Sequence, residues 1–300
     1  MPEDPESPVT QEPPPAQAQS ITTEVHRFDL TEDGARYVAS GSVPGRLLNQ
    51  WAMSEHEGDL RIATTEEEFA VDQGSHSSVR ILRERDGRLR QVGRVRDLGR
   101  GEQIYAVRYA GDIGFVVTFR QVDPLYTLDL SDPTAPRLLG ELKVPGYSSY
   151  LHPIDADHLL GVGQNADKQG RTTGVGVSLF DVADLGRPRR IDHLALGRGT
   201  TTDVEFDHRA FLYWPEEQTA VLPLADWQPG GRVGAAVLQV DTRDGVVERG
   251  FVEHASYQGT PLPVQRAFVV DDRLITITQV SVLTSDLNTL HPVGEASFVR

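Results

Sequence analysis

The chain has 300 residues, no cysteine, and 44 acidic against 29 basic side chains, for a formal net charge of −15 at pH 7. The absence of cysteine excludes disulfides, thiolate catalysis and zinc–thiolate sites. The negative charge argues against nucleic acid as a partner, because binding phosphates needs a basic field. The length suits two average domains, but repeat proteins of this size fold as one unit, so we expect one domain and a tail.

The first segment, residues 1–20, is rich in Pro, Glu, Gln and Ser, includes Pro13, Pro14 and Pro15, and has almost no apolar side chains. This composition predicts a disordered, extended linker. It lacks the basic and apolar regions of a signal peptide. No apolar run in the chain approaches the roughly 18 residues of a membrane span.

The next segment, residues 21–43, predicts a hairpin with strands at 23–30 and 35–43 around an Asp-Gly turn. It matches the third and outer strands of a four-stranded unit whose first two strands are missing. The last unit of the chain uses all four of its strands before Arg300, so nothing remains to complete the first. We therefore expect the C-terminal part of a longer propeller, or an incomplete ring.

From residue 47 onward, short strands of alternating apolar and polar residues are separated by Asp-Gly, Gly-Asp, Asp-Pro and Pro-Gly turns. A strand, an Asp-Pro turn and a second strand stand out at residues 126–140, and weaker copies recur at a spacing of roughly 45 to 60 residues. Periods of roughly 40 to 50 residues built only from short strands are typical of β-propeller blades. The fold class is thus all-β: a propeller of four-stranded antiparallel blades, five complete and one half. The complete blades are predicted at residues 47–97, 103–144, 148–196, 202–254 and 264–299.

Several strings in this array resemble a known family. They are residues 45–55 (GRLLNQWAMSE), 60–65 (LRIATT), 104–109 (IYAVRY), 117–125 (VTFRQVDPL), 150–153 (YLHP) and 207–211 (DHRAF). In this order they resemble the secreted β-propeller family of prokaryotes, which is distantly related to WD-repeat proteins. The resemblance covers nearly the whole chain after the linker.

The resemblance implies a location outside the cytoplasm, either secreted or attached to the cell envelope. It implies no catalytic residues, because the biochemical role of the family is not established. Family members are typically longer than this chain.

Residues 161–166 (GVGQNA) match the G-x-G-x-x-A form of a dinucleotide fingerprint. That fingerprint requires the glycines to open a helix whose N-terminus faces the pyrophosphate. The following residues, 167–174, have no apolar face on which a helix would pack. We therefore interpret the stretch as a loop between strands.

Loops between second and third strands meet the loops between blades on one face of a propeller, where ligands are usually held. That face supplies our candidate ligand-binding residues: Arg120, Gln121, Asp123, Gln164, Asn165 and Asp167. Asp203, Glu205 and Asp207 form a second candidate group, because alternate residues of a strand share one face and three carboxylates there attract a cation.

These observations favour a non-catalytic, extracytoplasmic binding or scaffold module, since repeat surfaces serve recognition. A protein or glycan of the cell envelope is the expected partner, with no nucleic acid and no cofactor. The alternative is a metal-dependent enzyme or cation sensor, in which Asp203, Glu205 and Asp207 hold calcium or another divalent cation near the propeller channel.

Overall fold

The computed structural model describes residues 21–67, 74–120, 123–167 and 169–299, so the predicted linker over residues 1–20 lies outside the described residues. The polypeptide forms an all-β propeller of four-stranded antiparallel blades, as the sequence predicts. Within the described residues, no helix has the length and apolar character needed to cross a bilayer.

The described residues begin with a hairpin, which is followed by the first blade. The hairpin strands are β1 (Thr22–Thr31) and β2 (Gly34–Pro44). The first blade consists of β3 (Arg46–Leu47), β4 (Met53–His56), β5 (Asp59–Glu67), β6 (Ser75–Arg85) and β7 (Arg88–Leu98). Both β3 and β4 pair with β5 at the inner edge. A single parallel pair, Ser40 with Arg88, joins the hairpin to β7.

The second and third blades have four strands each, and the strands lie side by side in sequence order. The second consists of β8 (Gln103–Ala110), β9 (Ile113–Phe119), β10 (Asp123–Asp129) and β11 (Arg137–Val144). The third consists of β12 (Tyr147–Pro153), β13 (His158–Ala166), β14 (Thr172–Asp181) and β15 (Arg189–Ala195). Residues 161–166 therefore lie inside β13, and the expectation of a loop there is wrong. The backbone of this stretch pairs with β12 on one side and β14 on the other.

The fourth and fifth blades complete the described array. The fourth consists of β16 (Leu212–Trp214), β17 (Thr219–Ala225), β18 (Val233–Asp241) and β19 (Gly245–Val252). The fifth consists of β20 (Arg266–Val270), β21 (Arg273–Ile277), β22 (Ser281–Asp286) and β23 (Pro292–Ser297). Two 3₁₀ turns, Asp203–Glu205 and His208–Ala210, precede the short β16.

The apolar core is divided among the interfaces between consecutive blades. Val79 and Leu128 pack in the interface of the first two blades, and Val177 and Leu222 in that of the third and fourth. Three further clusters lie between the hairpin and the first blade, between the second and third blades, and between the fourth and fifth. Each fully buried Val or Leu contributes about 1.5–3 kcal/mol. This distribution explains how a chain with a modest apolar fraction folds.

The outer strands of four blades carry a glycine at one repeated register position, where the third blade has Asp192 instead. Gly93, Gly140, Gly250 and Gly294 each pair with the residue just before a β-bulge. A Cβ at Gly93 would lie 2.2 Å from the carbonyl oxygen of Pro133, and one at Gly140 would lie 2.4 Å from that of Leu185. Glycine is therefore needed where the turn of the following blade meets the outer strand.

The fifth blade is covered on one face only. Residues of β21 and β22 alternate between buried and partly exposed, whereas every residue of β17 in the fourth blade is buried. Gly294 has no atom within 4 Å of a Cβ built on it. No strand of the fifth blade pairs with the hairpin in the part of the chain that the structure describes.

Candidate functional site

A polar cleft of about 690 Å³ opens between the third blade and the segment that leads into the fourth. We call it the Tyr147 cleft. Its lining residues come from β12, from the β13–β14 connection and from the segment after β15: Tyr147, Gln164, Asp167, Arg171, Thr172, Thr173, Gly174, Arg198, Gly199, Thr200, Thr201 and Glu205. Hydroxyl, amide and guanidinium groups dominate this wall.

The carboxylate of Glu205 accepts hydrogen bonds from side chains of two neighbouring strands, β12 and β13. Tyr147 and Gln164 are paired across β12 and β13. The Tyr147 hydroxyl donates to Glu205 Oε2 at 3.2 Å, and Gln164 Nε2 donates to Oε1 at 2.5 Å. Burial, followed by the nearby Glu205 charge, raises the pKa of the Tyr147 phenol well above its ordinary value, so the phenol keeps its proton. The network fixes both side chains at the cleft.

The Tyr147 ring packs against two other aromatic rings, those of Tyr105 and Phe119. Its ring centroid lies 4.6 Å from that of Tyr105 and 4.8 Å from that of Phe119, and the Tyr105 and Phe119 centroids are 5.5 Å apart. These rings come from β8, β9 and β12, so the second and third blades together build the group. Such contacts stabilise the orientation of the Tyr147 ring.

The opposite wall of the cleft is shaped by Asp167. Its Oδ1 accepts from the backbone N–H groups of Gln169 and Arg171, and its Oδ2 accepts from Arg171 Nε at 2.8 Å. These hydrogen bonds, led by that from the Arg171 backbone, lower the pKa of the Asp167 carboxyl. The carboxylate therefore organises the connection between β13 and β14 as a polar wall.

A second group of side chains lies where the inner ends of four blades meet. We call it the axial cluster: Trp51, Arg108, Tyr150, His152, His208, Phe211 and Tyr213. The Trp51 ring stacks on His208 with centroids 5.3 Å apart, and Tyr150 lies 4.7 Å from His208. His152 is 5.2 Å from Phe211 and 5.3 Å from Tyr213. The cluster thus joins residues that are widely separated in the sequence.

Both histidines of the axial cluster are kept neutral by their surroundings. Burial, assisted by the positive charge of Arg108, lowers the pKa of His152 to about 4. The same two causes lower the pKa of His208. The Tyr150 hydroxyl is 2.9 Å from His152 Nδ1; a neutral imidazole accepts this proton. Sequence reasoning missed this cluster, because only the ring of blades brings its members together.

The family is shown by comparison with known proteins. A family model described as the beta propeller domain matches residues 9–290. The chain belongs to the beta propeller domain family. An uncharacterized protein of Archaeoglobus fulgidus is 36% identical over 274 residues, covering 91% of this chain and 39% of the relative. An uncharacterized protein of Methanocaldococcus jannaschii is 41% identical over 180 residues, covering 60% of this chain and 27% of the relative.

The chain therefore spans less than half the length of these relatives. A solved structure titled as a eukaryotic initiation factor is similar with a TM-score of 0.52 and 12% identity, covering 93% of this chain and 61% of that one. At this identity the likeness concerns the propeller fold alone.

The structure separates the predicted ligand-binding residues of this propeller. Gln164 and Asp167 line the Tyr147 cleft. Asn165 does not line the cleft, and its Nδ2 donates to the carbonyl of Val175 at 3.2 Å. Arg120 is exposed, and its Nη1 lies 3.3 Å from a Cβ built on Gly101.

Two further predicted ligand residues receive no side-chain description. Gln121 lies outside the described residues, and Asp123 is described only as the first residue of β10. The signal that sequence reasoning could have used for the cleft is the Gly146-Tyr147 entry into β12 beside the long connection after β13.

The expectation that Asp203, Glu205 and Asp207 share one face of a strand is wrong. Residues 203–205 form a 3₁₀ turn capped by Thr202, and Asp207 caps the next turn. Asp207 accepts from Arg209 and Arg266, while Glu205 turns to the Tyr147 cleft. In the part of the chain that the structure describes, no three His, Asp or Glu side chains are grouped to hold a metal ion. Side-chain caps and arginine partners favour turns over an extended strand here.

Proposed function

We propose that this chain is a non-catalytic binding module that holds an oligosaccharide of the cell envelope in the Tyr147 cleft, outside the cytoplasm. The observation that carries the proposal is the convergence of Tyr147 and Gln164 on Glu205 at the edge of a polar cleft. It places an oriented aromatic ring beside fixed hydrogen-bonding groups. Binding sites combine such a surface with a few positioned polar groups.

The lining of the cleft supports a neutral, hydroxyl-rich ligand. Thr172, Thr173, Thr200 and Thr201 supply hydroxyl groups that both donate and accept hydrogen bonds. Arg198 adds a donor, and the Tyr147 ring offers an apolar face of the kind that packs against a sugar ring. A protein ligand would need a larger apolar contact than this polar lining offers.

The carboxylates of the cleft support binding over catalysis. Glu205 already accepts from two side chains, and Asp167 accepts from Arg171 and two backbone N–H groups. A general acid or base has to reach a reacting group with a pKa near the working pH. These carboxylates are instead engaged in holding the walls of the cleft.

The test is an oligosaccharide array followed by calorimetry with each sugar that binds. Tyr147→Ala is expected to weaken binding at least tenfold, and Gln164→Ala severalfold, because each removes a group fixed on Glu205. Tyr37→Ala is the matched control, since Tyr37 is an exposed tyrosine of the hairpin, and it should bind like the parent chain.

Three results would contradict the proposal: no sugar bound, equal affinity of the Tyr147→Ala and parent chains, or release of a cleaved product. Capture of envelope proteins in the absence of any glycan affinity would assign the cleft to a protein ligand instead. Fractionation of cells that express the natural gene checks the location, and recovery of the protein in the cytoplasm alone would overturn that part.

A further inference from the structure

Arg108 in the axial cluster carries a positive charge without an acidic partner. Its guanidinium lies over the Trp51 ring, 5.8 Å from the centroid. Its Nε is buried and makes no hydrogen bond, and among the described residues no carboxylate forms an ion pair with it. Asp207, which precedes His208, is already held by Arg209 at 3.1 Å and Arg266 at 2.6 Å.

Two other enclosed arginines, Arg61 and Arg232, make hydrogen bonds or an ion pair, although the Nε of Arg61 also lacks a partner. Arg61 donates to the carbonyl of Gly111 at 2.6 Å and to Ser54 Oγ at 2.9 Å. Arg232 also lies over an aromatic ring, that of Phe251, yet it pairs with Glu248 at 2.6 Å. An enclosed charge without a partner costs free energy. Because the chain has a large excess of acidic residues, the lack of one at Arg108 leaves room for an anionic group from elsewhere.

His208 provides a second unsatisfied group beside Arg108. Its Nδ1 is buried and has no hydrogen-bond partner, whereas the ring is hydrogen-bonded to the backbone of Ser149. Nδ1 is an acceptor or a donor according to the tautomer of the neutral ring, and a buried nitrogen of this kind calls for a hydrogen-bond partner. A hydroxyl group satisfies either tautomer, because it both donates and accepts.

We propose that Arg108, His208 and Trp51 bind a ring compound that carries both a carboxylate and hydroxyl groups, which is the chemistry of a uronic acid. The carboxylate receives the planar donors of Arg108. A hydroxyl forms a hydrogen bond with His208 Nδ1, and the sugar ring lies against Trp51. Each of these three side chains is partly exposed, so solvent reaches the group.

This site is separate from the Tyr147 cleft and does not depend on the proposed function. None of Trp51, Arg108 and His208 lines the Tyr147 cleft. The variants that test one site therefore alter no residue of the other. Failure at one site is thus distinguishable from failure at the other.

Calorimetric titration with sodium glucuronate tests the proposal, with glucose and sodium acetate as comparison ligands. Glucuronate is expected to bind at millimolar concentration or below, and glucose and acetate at least tenfold more weakly. Arg108→Gln should weaken glucuronate binding at least tenfold, and His208→Phe severalfold. Arg232→Gln is the matched control, because Arg232 also lies over an aromatic ring but already pairs with a carboxylate. The Arg232→Gln variant should bind glucuronate with the same affinity as the parent.

Absence of glucuronate binding to the parent chain would overturn the site, as would equal affinity of the Arg108→Gln variant. Acetate binding as tightly as glucuronate would overturn the role of the ring and hydroxyl groups. Melting curves check the fold of each variant. If Arg108→Gln does not fold, Arg108→Lys decides: it keeps the charge but loses the planar donor pair, so a severalfold loss supports the proposal and an unchanged affinity contradicts it.

Discussion

Asp129 and Arg137 hold the two ends of the turn in the strand-turn-strand unit of the second blade. One carboxylate oxygen of Asp129 accepts from the Ser131 backbone at 3.0 Å, and the other accepts from Arg137 at 2.5 Å. Asp181 and Arg189 repeat the arrangement in the third blade, with Oδ1 of Asp181 accepting from the Ala183 backbone. The repeated strand-turn-strand pattern in the sequence thus corresponds to a turn that is stabilised by hydrogen bonds to an aspartate carboxylate.

Replacing Asp129 with alanine is expected to lower the free energy of unfolding by about 1–2 kcal/mol, the scale of hydrogen bonds to a charged group. Asp129→Asn should cost less than about 1 kcal/mol, because its amide oxygen still accepts from Ser131 and an exposed ion pair contributes little. Urea unfolding measures both. Equal losses for the two variants would contradict a turn-closing role for the carboxylate.

The same carboxylate predicts a pH dependence. Hydrogen bonds from Ser131, with help from Arg137, lower the pKa of Asp129 to about 2 from an ordinary 3.8. The unfolded chain therefore takes up this proton first, and the stabilisation is lost as the pH falls from about 4 to about 2. The difference in stability between parent and Asp129→Ala should shrink over this interval. A constant difference would contradict the assignment.

The repeated glycine of the outer strands gives a prediction with an internal control. Gly140→Ala is expected to destabilise the protein by about 2–3 kcal/mol, because its Cβ would meet the Leu185 carbonyl oxygen at 2.4 Å and backbone must move. Gly294→Ala alters the same register position of the last blade, where no atom lies within 4 Å. It should change stability by less than about 0.5 kcal/mol. Thermal and urea unfolding check both, and similar losses would refute the docking role.

The sequence predicts the blades because their signals are local. Strand alternation and Asp-Pro or Asp-Gly turns lie within a few residues of each other, and the hairpin over residues 21–43 is found as β1 and β2. The segment 203–207 was misinterpreted because alternating carboxylates also suit 3₁₀ turns. There the caps from Thr202 and Asp207 decide the backbone, and a pattern of period two cannot show them.

The sites were predictable only in part. Gln164 and Asp167, two of the predicted ligand residues, both line the Tyr147 cleft, Gln164 near the end of β13 and Asp167 just after it. Glu205 was selected for metal binding, yet its partners Tyr147 and Gln164 come from another blade. Arg108 lies in the string 104–109 that resembles the propeller family, but the resemblance gives it no role. Arg108 was selected as a binding residue because it has no acidic neighbour among the described residues. Which residues surround it depends on how the blades are arranged around the axis, and the sequence alone does not show this.

The buried ion pair of the first blade predicts a large difference between two adjacent glutamates. Glu66 holds the fully buried Arg80, which also donates to Thr64 Oγ1, and Arg94 lies 3.1 Å from the same carboxylate. Glu66→Ala leaves these charges unpaired and should cost about 3–5 kcal/mol. Glu67→Ala removes a pair with the exposed Arg46 at 3.8 Å and should cost less than about 1 kcal/mol. Urea unfolding measures both, and equal costs would contradict a structural role for the pair.

His152 predicts a loss of stability in mildly acidic solution. Burial, with the charge of Arg108, lowers its pKa to about 4 in the folded chain from an ordinary 6.5. Between these values the unfolded chain binds a proton that the folded chain does not. The free energy of unfolding is therefore unaffected by this titration above about pH 6.5, and it decreases as the pH falls toward 4. The total decrease from His152 is at most about 3 kcal/mol.

His152→Gln removes this titration while keeping a polar side chain that can accept from Tyr150. The variant is expected to be less stable than the parent at pH 7.5 because ring contacts with Phe211 and Tyr213 are lost. The gap should narrow by pH 4.5, since only the parent contains the imidazole that protonates on unfolding. Urea unfolding at both pH values measures the two differences. A gap that stays constant would show that His152 does not titrate differently in the folded and unfolded chains.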